Sequence, residues 1–203
     1  MKKVVIYVHG KGGNAQEAEH YKPLFENAEV VGFDYKSDTP WDAKREFQGY
    51  FGAKRQEYDD VTVIANSIGA FFTLSALSSD FVDRAYLISP VVDMERLITD
   101  MMSWAGVDES ELEKRGEIKT DFGETLSYEY LGYVRGNKPS WDVPTSVLYG
   151  EHDNLTSVET ITKFSEKTGA TLTVMNGGEH WFHTQDQMAL LDAWLKKEIQ
   201  NAR

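Results

Sequence analysis

The chain has 203 residues, 41% hydrophobic and 12% aromatic, enough apolar mass for a well-packed domain and too much for a disordered chain. Lys and Arg number 21 against 33 Asp and Glu, a net charge of −12. Such a surface repels phosphate backbones and anionic lipid heads, so neither nucleic acid nor membrane is expected as a partner. Cysteine is absent, which excludes disulfides, thiolate metal sites and a cysteine nucleophile. The apolar run behind Met1-Lys2-Lys3 covers only Val4 to Val8, too short for a signal sequence, and no stretch reaches the roughly 18 apolar residues of a membrane span. The expectation is a soluble, cytoplasmic protein; its oligomeric state is open.

Lys3 to Val8 is a continuous apolar run, as suits a strand buried on both faces of a parallel sheet. The glycine-rich loop His9-Gly10-Lys11-Gly12-Gly13 follows. Asn14 with Glu17 reads as a capping box, opening a short helix that ends before Pro23. Glu29 to Phe33 is the second strand. Thr39 caps a helix with Pro40 at its first position, and Phe47, Tyr50, Phe51 and Tyr58 mark its buried face. Val61 to Ile64 is the third strand and Asp83 to Ser89 the fourth, ended by Pro90. The fifth is Thr145 to Gly150, followed by a helix with a Thr156/Glu159 capping box that Gly169 stops. Ala170 to Met175 is the sixth strand. Thr184 and Gln187 box the last helix, which buries Met188, Leu191, Trp194 and Leu195. Strands alternate with helices except in residues 91–142, which hold helical pieces and no convincing strand. The pattern predicts an α/β fold with a mainly parallel sheet of about six strands, helices on both faces and a small helical insertion placed as a lid.

The third strand runs into Ala65-Asn66-Ser67-Ile68-Gly69 and a breaker-free apolar segment leaves it. A serine between small residues at a strand-to-helix turn is the pattern of a nucleophile elbow. In an open parallel sheet, function gathers at the carboxyl ends of the strands. Those ends carry the His9–Gly13 loop, then Ser67, then Asp153, then His180. Serine, acid and histidine therefore occur in the order of an α/β-hydrolase triad.

On these motifs, with Gly150-Glu151-His152-Asp153 and Gly177-Gly178-Glu179-His180, the chain resembles the α/β-hydrolases over nearly its whole length, and most of all the small bacterial serine esterases and lipase-like enzymes. Ala65 stands where the family has the first elbow glycine. The chain also begins directly with the strand before the glycine loop, so six strands are expected where the full-size fold has eight. The resemblance implies a three-layer sandwich in one domain, 1–203, with 91–142 as the lid. It implies that Ser67 attacks, that His180 takes and returns the proton, and that Asp153 orients the imidazole. The oxyanion would be held by the backbone N–H of Ile68, at a helix start, and by that of Lys11, with Gly12 as the alternative.

Each residue also has a plainer reading. Ser67 or Asp153 can cap the helix that follows it. His183 competes with His180 as the base. His9 fits a structural histidine of its loop, Asp34 orders its own turn, and His20 and His152 carry no pattern. The glycine loop lacks the spacing of a nucleotide site, and no pair of histidines has ligand spacing, so neither cofactor nor metal is expected. Met101, Met102 and Trp104 are either packing residues or part of a substrate pocket under the lid. The expected substrate is a small or medium carboxylic ester, with a thioester as the close second. The reading from a different class is a non-catalytic protein that binds a small ligand. Dehalogenases and epoxide hydrolases of this family carry Asp where Ser67 stands.

Overall fold

The computed structural model describes residues 1–202. In chain order the elements are β1 (Lys3–Val8), a 3₁₀ segment (Ala15–Leu24), β2 (Glu29–Phe33), α1 (Pro40–Glu57), β3 (Asp60–Asn66), α2 (Ile68–Ala76), β4 (Arg84–Ile88), α3 (Met94–Ala105), α4 (Glu109–Arg115), β5 (Glu117–Lys119), β6 (Thr125–Ser127), α5 (Tyr128–Gly136), β7 (Thr145–His152), α6 (Val158–Thr168), β8 (Thr171–Glu179) and α7 (Gln185–Asn201). They form two compact units. One holds Met1–Val92 with the chain from Ser140 onward, the other Asp93–Pro139.

The first unit is built on a six-stranded sheet of order β2-β1-β3-β4-β7-β8, with every neighbouring pair parallel. The apolar runs form its centre because β1, β3 and β4 are covered on both faces. On one face Val5, Tyr7, Ile64, Tyr86 and Leu148 pack against Tyr21 of the 3₁₀ segment and Leu191, Trp194 and Leu195 of α7. On the other, Phe33 meets Phe47 and Phe51 of α1, and Phe47 meets Phe72 of α2, at ring separations of 5.0, 6.0 and 6.1 Å. α1 starts at Thr39, whose hydroxyl accepts from the Asp42 N–H, with Pro40 at the first position. α2 buries seven of its nine residues, as an apolar helix must when it lies between the sheet and a second helix.

Four expectations need correction. The first helix is a 3₁₀ segment and runs through Pro23 to Leu24, although its Asn14/Glu17 capping box is present. Ala18 and Tyr21 are buried, and Leu24 packs on the same cluster. That spacing of three matches the three-residue turn of a 3₁₀ helix, so docking on the sheet selects it. The cap of α6 is Ser157, which accepts from the Thr160 N–H, while Thr156 turns inward and is buried. Residues 91–142 are not wholly helical: β5 and β6 pair as an antiparallel hairpin that buries Ile118 and Leu126. Strands of three residues are too short for a period-of-two pattern to register. Finally, β8 continues past Met175 to Glu179.

The second unit packs Leu97, Ile98, Leu112, Leu131 and Val134 out of solvent. Arg135 of α5 bonds Glu95 of α3 and Glu109 of α4 at 2.9 and 2.5 Å. Met102 is buried. Trp104 is 54% exposed, with its ring edge-on to Phe122.

Candidate active site

β3 delivers Ser67 to the carboxyl edge of the sheet. Its backbone sits at φ 51°, ψ −119°, a region non-glycine residues avoid at a cost of about 1–3 kcal/mol. Gly69 is required one turn on: a Cβ there would lie 2.3 Å from the His9 carbonyl oxygen. Its absence lets the loop after β1 run directly against the start of α2. The first flank is less demanding. Ala65 falls inside β3, paired with Val8 and Leu87 and fully buried, so a methyl group fits where the sequence pattern asked for glycine.

Asp153 and His180 are brought together by the ends of β7 and β8. A Cβ on Gly150 would come within 2.3 Å of the Glu179 carbonyl oxygen, so only glycine lets the two strands close here. Gly150 pairs with Met175 but His152 pairs with Glu179. Two steps on β7 thus match four on β8. The Asn176-Gly177-Gly178 bulge takes up the difference and is tied by the Gly177 N–H donating to the Glu151 carboxylate at 2.8 Å.

The three side chains then form one line. Ser67 Oγ is 2.8 Å from His180 Nε2, and His180 Nδ1 is 2.7 Å from Asp153 Oδ2. The carboxylate only accepts, so Nδ1 donates and Nε2 presents its lone pair to the hydroxyl. The Asp153 side chain is wholly buried. Its second oxygen accepts from the N–H groups of Leu155 and Thr156, so Asp153 orders its turn and binds the imidazole at once. Ser67 makes no capping bond to α2. His183 lies apart from this line, stacked on Trp181 at 4.4 Å with Nδ1 bonded to the Trp181 carbonyl.

Ser67 and His180 open into a cleft of about 740 Å³ whose wall includes Lys11, Gly12, Glu17, Tyr7 and Trp181. The Gly13 N–H donates to the Gly10 carbonyl at 3.1 Å, a turn bond that uses the N–H of neither Lys11 nor Gly12. Ile68 is the first residue of α2, where N–H groups have no partner within the helix. Tyr7 donates to Glu17 at 2.5 Å, and burial pushes its phenol pKa up, so it remains a neutral donor. Trp181 is 69% exposed. Sequence reasoning missed Tyr7, Glu17 and Trp181 as wall residues. The one available signal was a polar-tipped Tyr7 within an apolar strand. His9 stacks on Tyr35 at 4.4 Å and Asp34 pairs with Lys36 at 2.7 Å. A second cleft, near 710 Å³, lies at the other end of the sheet around Lys3, Asp60 and Arg84, away from Ser67. Among the described residues no group of three or more His, Asp or Glu side chains converges to hold a metal ion. No helix among them is long and apolar enough to cross a membrane.

No family model and no curated protein matches the sequence. Solved structures do match. Est1E from Butyrivibrio proteoclasticus superposes with a TM-score of 0.74 at 15% identity, over 98% of this chain and 88% of the other. The alpha/beta hydrolase domain-containing protein 10 from mouse gives 0.77 at 13%, over 98% and 90%. This chain has the α/β-hydrolase fold. A thioesterase domain from the curacin biosynthetic pathway shares it, with a TM-score of 0.57 at 15% identity, over 96% of this chain and 91% of that one. At such identities the likeness is one of fold, and the chemistry has to be argued from the residues.

Proposed function

We propose that this protein is a serine hydrolase that cleaves small to medium carboxylic esters through an acyl-enzyme. One observation carries the reading: the Ser67 hydroxyl, unused as a helix cap, lies 2.8 Å from an imidazole whose other nitrogen is held by a buried carboxylate. In this reading His180 takes the hydroxyl proton as Ser67 attacks the acyl carbon, and Asp153 stabilises the imidazolium. His180 then protonates the leaving alcohol. Water, deprotonated by the same imidazole, releases the acid. The N–H groups of Ile68 and Lys11, or of Gly12 in place of Lys11, hold the oxyanion, each supplying about 3–4 kcal/mol.

The cleft volume of about 740 Å³ is that of a small-molecule site. With a surface of charge −12, it supports a small ester as partner, not nucleic acid. For residues 91–142 we propose a lid in a single-domain enzyme; the support is the segment's place in the chain, between β4 and β7. A thioester substrate is the second reading, favoured by the thioesterase among the structures sharing the fold.

The test is a fluorophosphonate probe followed by turnover of p-nitrophenyl esters of graded acyl length and one thioester. We expect a single adduct on Ser67, and a loss of at least about 10⁴-fold in kcat for Ser67→Ala. Wild-type protein that takes no adduct would make this a binding member of the fold and not an enzyme.

A further inference from the structure

Among the described residues only Ser67 and Ser89 are non-glycine residues with positive φ, at 51° and 42°. The elbow at Ser67 is bonded to the residues on either side of Ser89. The Ser67 N–H donates to the Ile88 carbonyl at 3.1 Å, and the Ser67 carbonyl accepts from the Val91 N–H at 3.2 Å. Both peptide groups of the elbow are thus clasped by the turn that follows β4. That turn is deeply buried, with Ser89 fully inaccessible and its hydroxyl unpartnered. The Ser89 side chain therefore does not hold the turn in place; its N–H ties the turn to β7 by donating to the Leu148 carbonyl at 2.8 Å, and the Pro90 carbonyl that follows is held by a second group.

The other end of the clasp leads to the aspartate. Thr156 is 5% exposed. Its hydroxyl donates to the Pro90 carbonyl at 3.2 Å, and its N–H donates to Asp153 Oδ1 at 2.9 Å. Its own carbonyl accepts from the Tyr149 hydroxyl at 2.8 Å. The bonds close a ring: Ser67 to the 88–91 turn, to Thr156, to Asp153, to His180, and back to Ser67. The front of the ring is the proton path. The back is a buried brace, with Thr156 as the residue that joins the two loops. A side chain needed only to cap α6 would face solvent, and Ser157 already does that work.

We propose that Thr156 is a positioning residue that fixes the Ser67–His180 and His180–Asp153 distances by tying the acid's turn to the turn that clasps the nucleophile. It touches no substrate. It acts through Asp153 on one side and through Pro90 and Val91 on the other, and it rests on the serine hydrolase reading only for its kinetic consequence. A small misplacement of a reacting group lowers the rate without weakening substrate binding.

The experiment compares Thr156→Val, which keeps the shape and the N–H but removes the hydroxyl donor, with Thr156→Ser, which keeps the donor. On p-nitrophenyl acetate we expect Thr156→Val to lower kcat about tenfold with KM within about twofold, and Thr156→Ser to restore at least half of the wild-type kcat. Ser146→Ala, which removes a buried bond to Glu198, serves as a control for lost stability and should leave kcat unchanged. The His180 Nδ1 proton resonance, read by NMR, should shift in Thr156→Val and not in Thr156→Ser. Wild-type kcat in Thr156→Val, or no rescue by serine, overturns the proposal. Should Thr156→Val fail to fold, Tyr149→Phe takes its place, where kcat must fall about threefold and an unchanged value overturns the proposal. If wild type turns over no ester, the hydrolase reading falls, and the NMR comparison alone decides the brace: an unmoved resonance in Thr156→Val refutes it.

Discussion

A methyl group on residue 69 would stand 2.3 Å from the His9 carbonyl oxygen, and that contact has no flexible partner to give way. Gly69→Ala should therefore lower both the urea midpoint and the rate of fluorophosphonate labelling. Ala65→Gly should cost only about 1 kcal/mol of stability, the usual loss for glycine inside a strand, read from the same urea titration. At Asp153 the decisive feature is that one carboxylate does two jobs. Asp153→Asn keeps an oxygen for the Leu155 and Thr156 N–H groups but can present an amide donor to Nδ1, which inverts the imidazole tautomer. A fall in kcat of about 10⁴-fold with little change in melting temperature is expected. A variant that melted early and kept its kcat would mean that Asp153 serves the turn alone.

At the scale of elements, α1 and the β7–β8 pair differ in what they position. α1 packs its phenylalanines on the sheet face away from α7 and carries none of the aligned residues. Thr39→Ala removes its cap, so about 1 kcal/mol of stability should go, with kcat unchanged in a p-nitrophenyl acetate assay. The β7–β8 pair is the opposite case. Gly150→Ala pushes apart two strand ends that carry Asp153 and His180, so its effect should appear first as lost kcat and only then as lost stability. The Asn14 and Thr184 capping boxes and the strand runs were legible because their signals are local in the chain. The 3₁₀ segment and the inward turn of Thr156 were not, because the partners that select them are distant in sequence; the 117–127 hairpin was not, because its strands of three residues carry no readable alternation.

The whole molecule carries a charge of −12, so its acid limit depends on which carboxylates are held ionised. Asp83 is one. The Arg55 guanidinium bonds it at 2.6 and 2.7 Å and holds its carboxyl below the usual aspartate range, helped by the Val61 N–H. A depressed folded pKa gives stability that is present above the unfolded value of about 3.9 and lost as pH falls through the lower folded one. The melting-temperature gap between wild type and Asp83→Asn should be full at pH 6 and shrink below about pH 4. A gap that stays constant down to pH 2 would show that it does not arise from the ionised Asp83 carboxylate.

By itself the sequence determined the alternation of strands and helices, the parallel six-stranded sheet and the order in which serine, aspartate and histidine reach its carboxyl edge. These follow from local patterns: apolar runs, capping residues and glycines at turns. Only the tertiary structure decided that Ser67 leaves α2 uncapped, that one carboxylate serves both a turn and an imidazole, and that Tyr7, Glu17 and Trp181 wall the cleft. It alone brought Thr156 to Pro90. The reason is geometric. A hydrogen bond between residues 66 positions apart exists only after the sheet has set the register of β4 and β7, and no local pattern encodes that register.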